Sequence, residues 1–494
     1  MSLEPAYPKA PPFARSTLMV LVRSWRNWLA GIDVSCYRIG SRRASLNGSR
    51  YLLANDLSLV RKILVDDVKD FPKHPYVSWI LKPLVGNSIF SANGEEWARQ
   101  RRLIEIAFQA SELNRREREM MEATNDMIER LVRMQPGKDG CIEIDIEAVM
   151  TAVTADVISR TILSKPLAEK ETRKIFQAFK RYQKYSRFAY ALRLLMPFLT
   201  IATQPMRKDA RYIRTWIRKE INQRLRDETS DNQNRSNKNH DLLDCLREAV
   251  DPVTGTRFGK EELLDQVCFL FLAGHETSAS SLTSTAWLLA QDHEAQDRFR
   301  LESVSHDNNF STKQILQAMQ FGAAVFKEAL RLYPPVSYFN RICIREEKVL
   351  PVTPNKYDSI QEFLRPRQAL DRQEQSTIRC PFRSLVIVSP WIIQRHEKHW
   401  SKPNEFSPER FMRSSRRPQD DHETKDAWLP FGQGPRTCPG AGFALQENLI
   451  VMARLVKAFR LETVKTKIPI WTASLTLRTE NGVHLRLYPL KQVH

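Results

Sequence analysis

The chain has 494 residues, 42% hydrophobic and 27% charged, with 76 Lys+Arg against 57 Asp+Glu and a formal net charge of +19. Such a composition excludes a disordered or fibrous chain and supplies a sizeable core. The basic excess points to an acidic or anionic partner, and without zinc-finger spacing or an RNA-recognition motif the reading is no nucleic acid.

Residues 1–40 read as a lead-in. In "STLMVLVRSWRNWLAGI" only five apolar residues precede Arg23, too few for a signal sequence or a membrane span. An amphipathic helix packed on the body is the reading, with peripheral membrane contact as the alternative. "SRYLLAN" follows as a strand, and "FPKHPYVSWILKPLVGNSIF" as an apolar, aromatic-bearing stretch suited to substrate access. "GEEWARQRR" places Trp97 and Arg101 four apart, on one helix face. Helical periodicity then dominates, in "EREMMEATNDMIERLVRM" and "IRTWIRKEINQRLRDE", broken by the polar loop "TSDNQNRSNKNH".

"LLDQVCFLFLAGHETSASSLTSTAWLLA" predicts one helix of about thirty residues, ~45 Å long. Its middle, "AGHETS", sets a glycine, a carboxylate and two hydroxyls in apolar surroundings, where polar groups are costly unless satisfied or used. "FKEALRLYPP" sets Glu328 and Arg331 three apart on another helix. From about Leu350 to Arg379 the chain is irregular and rich in Pro, Gln and Arg, long for a connection. "RSLVIVSP" reads as a strand, "ALQENLIVMARLVKAF" as a helix, and "SLTLRTE" and "GVHLRLYPL" as a hairpin across Asn481-Gly482. The fold class is mainly α (α+β), with small sheets at the edge.

Seven dispersed cysteines in no paired pattern point to a reducing, cytoplasmic setting rather than a disulfide framework. Cys438 stands apart, in "FGQGPRTCPGAGFALQE". Gly434 and Gly440 permit a tight turn and close approach of a flat ligand, and Phe431 offers a stacking surface. Arg436 and the start of a helix favour a thiolate, which is a good iron ligand.

"FGQGPRTCPG" matches Phe-x-x-Gly-x-Arg-x-Cys-x-Gly at every fixed position, and so resembles the haem-binding loop of the cytochrome P450 family. The resemblance covers nearly the whole chain and implies a single large helical domain over residues 41–494, in a soluble, bacterial-like member. It implies haem b (iron protoporphyrin IX) with Cys438 as axial ligand. "AGHETS" resembles the oxygen-binding groove, with Ala273 and Gly274 leaving room and Glu276 and Thr277 as the acid–alcohol pair. Trp97, Arg101 and Arg341 resemble propionate-binding residues, and Tyr338 and Phe339 border the substrate segment. Glu328 and Arg331, with Arg410 of "FSPERF", resemble the structural Glu-x-x-Arg lock. "CPFRS" lacks the family's turn glycine, so 350–379 reads as an insertion or a sign of a damaged local sheet.

The expected function is a haem-thiolate monooxygenase inserting one atom of dioxygen into a small apolar organic substrate. Electrons come from a ferredoxin-type or other acidic donor, with Arg99, Arg101 and Arg102 as candidate contacts. The alternatives are a peroxygenase or isomerase needing no donor, which Glu276-Thr277 disfavours, and a non-enzymatic basic binding protein.

Overall fold

The computed structural model describes residues 8–12, 17–24, 27–46, 49–109, 112, 115–137, 139–195, 204–230, 240–304, 318–352, 377–412 and 425–490. Its α-helices are, in chain order, α1 (Thr17–Ser24), α2 (Leu57–Arg61), α3 (Pro75–Val85), α4 (Gly94–Ala107), α5 (Glu117–Val132), α6 (Ile146–Leu163) and α7 (Glu169–Leu195). They continue with α8 (Gln204–Ser230), α9 (Leu242–Glu248), α10 (Lys260–Gln291), α11 (His293–Val304), α12 (Gln320–Leu332), α13 (Pro390–Ile393) and α14 (Ala441–Ala458). The strands are β1 (Ser41–Leu46), β2 (Ser49–Ala54), β3 (Ile142–Asp145), β4 (Phe339–Ile342), β5 (Glu347–Pro351), β6 (Thr377–Pro381), β7 (Leu385–Val388), β8 (Phe459–Thr463), β9 (Trp471–Ala473), β10 (Leu477–Thr479) and β11 (His484–Pro489). The mainly helical expectation stands.

Two compact units divide the chain. The first comprises residues 1–77, 330–438 and 471–478. Its four-stranded sheet has the order β1-β2-β7-β4, with β2 and β7 parallel and the other pairs antiparallel. The inward side chains Leu52, Ala54, Val386 and Val388 bury against Leu59, Ile63 and Leu64, and onto Phe71 and Trp400. Asp56 starts α2 by accepting from the backbone N–H of Ser58 and Leu59. The helix then widens into a π turn, Lys62–Asp66.

β5 and β6 pair antiparallel, from Glu347↔Pro381 to Pro351↔Thr377. The local sheet is therefore present, and the ends of the irregular stretch are regular strand; 353–376 lie outside the described residues. So do 231–239 of the polar loop.

The second unit comprises residues 78–329, 439–470 and 479–494. At its centre is α10, 32 residues long, with Glu261 and Glu262 in its first turn complementing the helix dipole. Gly274 packs against α6: a Cβ there would lie 2.8 Å from Ile158 Cδ1. Helix contact therefore calls for glycine at this position.

The C-terminal hairpin is corrected. β10 pairs with β9, whereas β11 lies between β3 and β8. Leu485 and Leu487 of β11 are buried, and antiparallel registers to both neighbours satisfy its backbone. Gly482 does take the turn conformation, with φ +73°, but Asn481 uses its side chain to bind the backbone of Ile468 and Ile470 instead of closing a hairpin.

Candidate functional site

In the first unit, Cys438 ends a stiff loop. Its backbone N–H donates to Phe431 O at 2.9 Å, and Thr437 Oγ1 reaches the same carbonyl at 3.3 Å. Phe431 packs edge-on against Trp428, ring centroids 5.9 Å apart. Gly434 has φ +73°, and a Cβ there would collide with the Leu64 carbonyl of the π turn. Glycine is thus demanded by scaffold contact as well as by backbone conformation. Gly440 has φ −88°, which any residue adopts, so its conformation does not call for glycine. Gly432, not singled out from the sequence, has φ +77°. Six of the seven cysteines are buried, and Cys438 alone is exposed.

Three cations converge near this loop. Residues 72–74 run beside β4, with Ile342 N–H donating to Pro72 O at 3.0 Å and Lys73 bridged to Arg341. Arg341 is 7% exposed; Nη1 donates to Asn340 O, while Nε is buried without a hydrogen-bond partner. Burial lowers Arg341 to about 10. Burial and Arg341 lower Arg436 to about 9. Burial, then Arg436 and Arg341, push Lys73 well below the usual lysine range. Clustered like charges at partly buried sites are costly unless an anionic ligand neutralises them. Lys73 had no sequence signal, because a strand-like pairing with β4 places it there.

Tyr338 Oη donates to Trp28 O at 3.2 Å, and Phe339 lies by Gly432. Tyr338 is thus tied to the lead-in segment. Arg331 is fully buried and donates to the carbonyls of Gln394, Pro403 and Glu405. Arg410 donates to Lys402 O at 3.0 Å, so both arginines fasten one segment. Glu328 is fully buried on α12, three residues before Arg331.

In the second unit, α10 is buried along most of its length, but Phe269, Ala273 and Thr277, four residues apart, form a half-exposed stripe. Phe90 stacks on Phe269 at 5.4 Å. Thr277 Oγ1 donates to Ala273 O at 2.6 Å. Glu276 is buried and accepts from Gln183 Nε2 of α7 at 3.3 Å. His275 Nε2 lies 3.6 Å from Glu276 Oε1, and its Nδ1 lies 2.8 Å from Phe271 O. Neither Gln183 nor His275 was singled out from the sequence.

Trp97 and Arg101 share a face of α4, as the spacing predicts; Arg101 pairs with Glu105 at 2.7 Å. Arg102 grips Asp251 with two nitrogens, and Arg99 pairs with Glu262. The Arg102 guanidinium holds the Asp251 carboxyl well below its usual range. These arginines, expected to meet an electron donor, are engaged by carboxylates of their own unit.

A cytochrome P450 family model matches residues 43–351 and 359–485. The chain is 28% identical to the cytokinin hydroxylase of Arabidopsis thaliana over 456 residues, 89% of this chain and 79% of the relative. It is 26% identical to an 11-oxo-beta-amyrin 30-oxidase of Glycyrrhiza uralensis over 441 residues (87% and 77%). To the 11-oxo-beta-amyrin 30-oxidase of Medicago truncatula it is 28% identical over 444 residues (87% and 77%). These are plant proteins, and nothing supports the bacterial-like expectation.

Fold, matched model and oxidising relatives define a haem-thiolate monooxygenase, which works with dioxygen, an organic substrate and a redox partner. The chain belongs to the cytochrome P450 family. Its residues fit the group that the family carries. An exposed thiol suits the iron, and a cluster of three cations, one with a buried orphan N–H, suits the two carboxylates of the haem macrocycle.

Proposed function

We propose that Cys438 is the axial thiolate of haem b, in the loop shaped by Phe431, Gly434, Arg436 and Gly440. In the first unit Lys73, Arg341 and Arg436 suit the propionates; for Trp97 and Arg101 of α4 the same role rests on the family motif alone. The observation that carries this reading is the exposed Cys438 thiol two residues from Arg436, itself within a cluster of cations depressed by burial and by one another. Glu328, Arg331 and Arg410 are structural. Residues 41–494 form the catalytic domain, with 1–40 as lead-in. The pairing of β5 with β6 supports an insertion within 350–379, between two adjacent strands.

Haem with a thiolate ligand supplies oxygen activation, by which one atom enters the substrate and the other leaves as water. The chain supplies protons through Glu276 and Thr277. Because His275 Nδ1 faces a carbonyl at 2.8 Å, that nitrogen carries the proton and Nε2 turns its lone pair toward Glu276. Gln183 Nε2 donates to the other oxygen, so the two side chains flank the Glu276 carboxyl from both sides. Thr277, on the half-exposed stripe, exchanges its bond to Ala273 O for one to water as it passes a proton on.

The same stripe, with Phe90, suits a small apolar organic substrate. A net charge of +19 supports an acidic, ferredoxin-type electron donor. Dispersed thiols support a cytoplasmic setting, with peripheral membrane contact as the alternative; among the described residues no helix is long and apolar enough to cross a membrane. The test is the absorption spectrum of the reduced protein with and without carbon monoxide. A strongly red-shifted Soret band is expected. A band of neutral-thiol or histidine ligation would overturn the Cys438 assignment.

A further inference from the structure

Away from the haem residues, Glu112, His240 and Cys245 of the second unit bring three different donors together. Cys245 is buried in the first turns of α9; its Sγ lies 3.4 Å from Glu112 Oε2 and 3.3 Å from His240 Nδ1. All three donor atoms lie within 4.8 Å of one another. Around a tetrahedral zinc ion, bond lengths of about 2.3 Å to sulfur and about 2.0–2.2 Å to nitrogen or oxygen put the S···N and S···O edges at roughly 3.5 Å. The two separations from sulfur are within about 0.2 Å of those edges, and the third, between the His240 nitrogen and the Glu112 oxygen, is no more than 4.8 Å.

The histidine carries a second, independent mark. Its other nitrogen, Nε2, lies 2.9 Å from Glu248 Oε2. A carboxylate there keeps the ring proton on Nε2 and leaves the Nδ1 lone pair facing Cys245, the arrangement of a metal-bound imidazole with its outer carboxylate. Arg116 lies on the opposing side of the balance. Its Nη2 is 3.5 Å from Sγ and 3.3 Å from Glu112 Oε2, and its charge opposes a cation. Thiolate and Glu112 carboxylate together neutralise a divalent ion, however, and the guanidinium then acts as a hydrogen-bond donor to both. Soft sulfur with imidazole and one carboxylate selects zinc over calcium or magnesium.

We propose that Glu112, His240 and Cys245 bind zinc, with water in the fourth position, clipping Glu112 to the start of α9. On binding, the Cys245 thiol proton passes to solvent as the Zn–S bond forms. The probe is zinc itself, added to tag-free, haem-loaded full-length protein so that Cys438 is not a competing ligand. Metal analysis should find one zinc per chain beside the haem iron, and X-ray absorption at the zinc edge one sulfur at about 2.3 Å. Cys245→Ser should remove that sulfur. His240→Ala, at a half-exposed ring whose loss leaves the haem spectrum unchanged, should weaken binding more than about 100-fold; Glu248→Gln should weaken it about 10-fold. Failure to retain zinc at micromolar free metal, zinc without a sulfur ligand, or unchanged affinity in His240→Ala would each overturn the site.

Discussion

Glu447→Gln tests the buried face of α14 quantitatively. Glu447 is 1% exposed, and its Oε2 has no hydrogen-bond partner. Burial raises its carboxyl from the ordinary 4.5 to about 8, with a hydrogen bond to Ser278 opposing. Between those values the folded chain keeps a proton that the unfolded chain has lost. Stability from this group is therefore fully present below about pH 4.5 and falls by about 1.4 kcal/mol per pH unit up to about pH 8. Glutamine keeps the shape and the neutrality but has no proton to lose. From about pH 5.5 to about pH 8 the variant should gain about 3 kcal/mol on the parent, and every other titrating group cancels in the comparison. At about 2.1 cal/mol/K of unfolding entropy per residue, that is a relative rise of roughly 3 °C in midpoint if the chain melts as one unit. Thermal melts of both haem-loaded proteins at the two pH values measure it. Parallel midpoints, or a variant that loses ground as pH rises, would show that Glu447 is ionised in the fold and refute the reasoning.

The other predictions concern the haem and proton residues. Cys438→Ser should abolish the red-shifted Soret band of the reduced carbon monoxide complex; an unchanged band would exclude Cys438 as ligand. Thr277→Ala should retain haem but lose product formation by about 100-fold, as for removal of a general acid, with electrons diverted to hydrogen peroxide. Unchanged coupling of electrons to product would refute the proton-delivery role. Arg341→Leu relieves like-charge crowding, so the haem-free protein should be no less stable, while haem dissociates faster; equal haem retention would remove Arg341 from the propionate set. Gly434→Ala combines a strained positive φ, about 1–3 kcal/mol, with collision against Leu64 O, and should lower both melting temperature and haem content.

Features confined to one short run of chain were legible in sequence. The Cys438 loop is such a run: glycine, arginine and cysteine at fixed offsets define a turn, and neighbours along the chain largely determine its course. Helix α10 was legible for the same reason, since apolar periodicity over some thirty residues outweighs the polar residues in its middle. Glu276 and Thr277 needed only that helix to be placed.

Pairings between distant segments were not legible. Asn481-Gly482 carries a genuine local turn signal, yet β10 and β11 part because Leu485 and Leu487 find burial between β3 and β8. Nothing along the chain tied Arg99 and Arg102 to Glu262 and Asp251, the carboxylates that hold them. Lys73 entered the cation cluster only through its bridge to β4, and Gln183 met Glu276 only because α7 carries it there. The sequence by itself determined the thiolate loop, the long helix and the chemistry that their residue types permit, because these rest on backbone geometry and on periodicity along a single segment. Tertiary structure decided which charges stand together, which carboxylates are already paired and which strands share a sheet, because burial and charge pairing depend on side chains brought together across hundreds of residues.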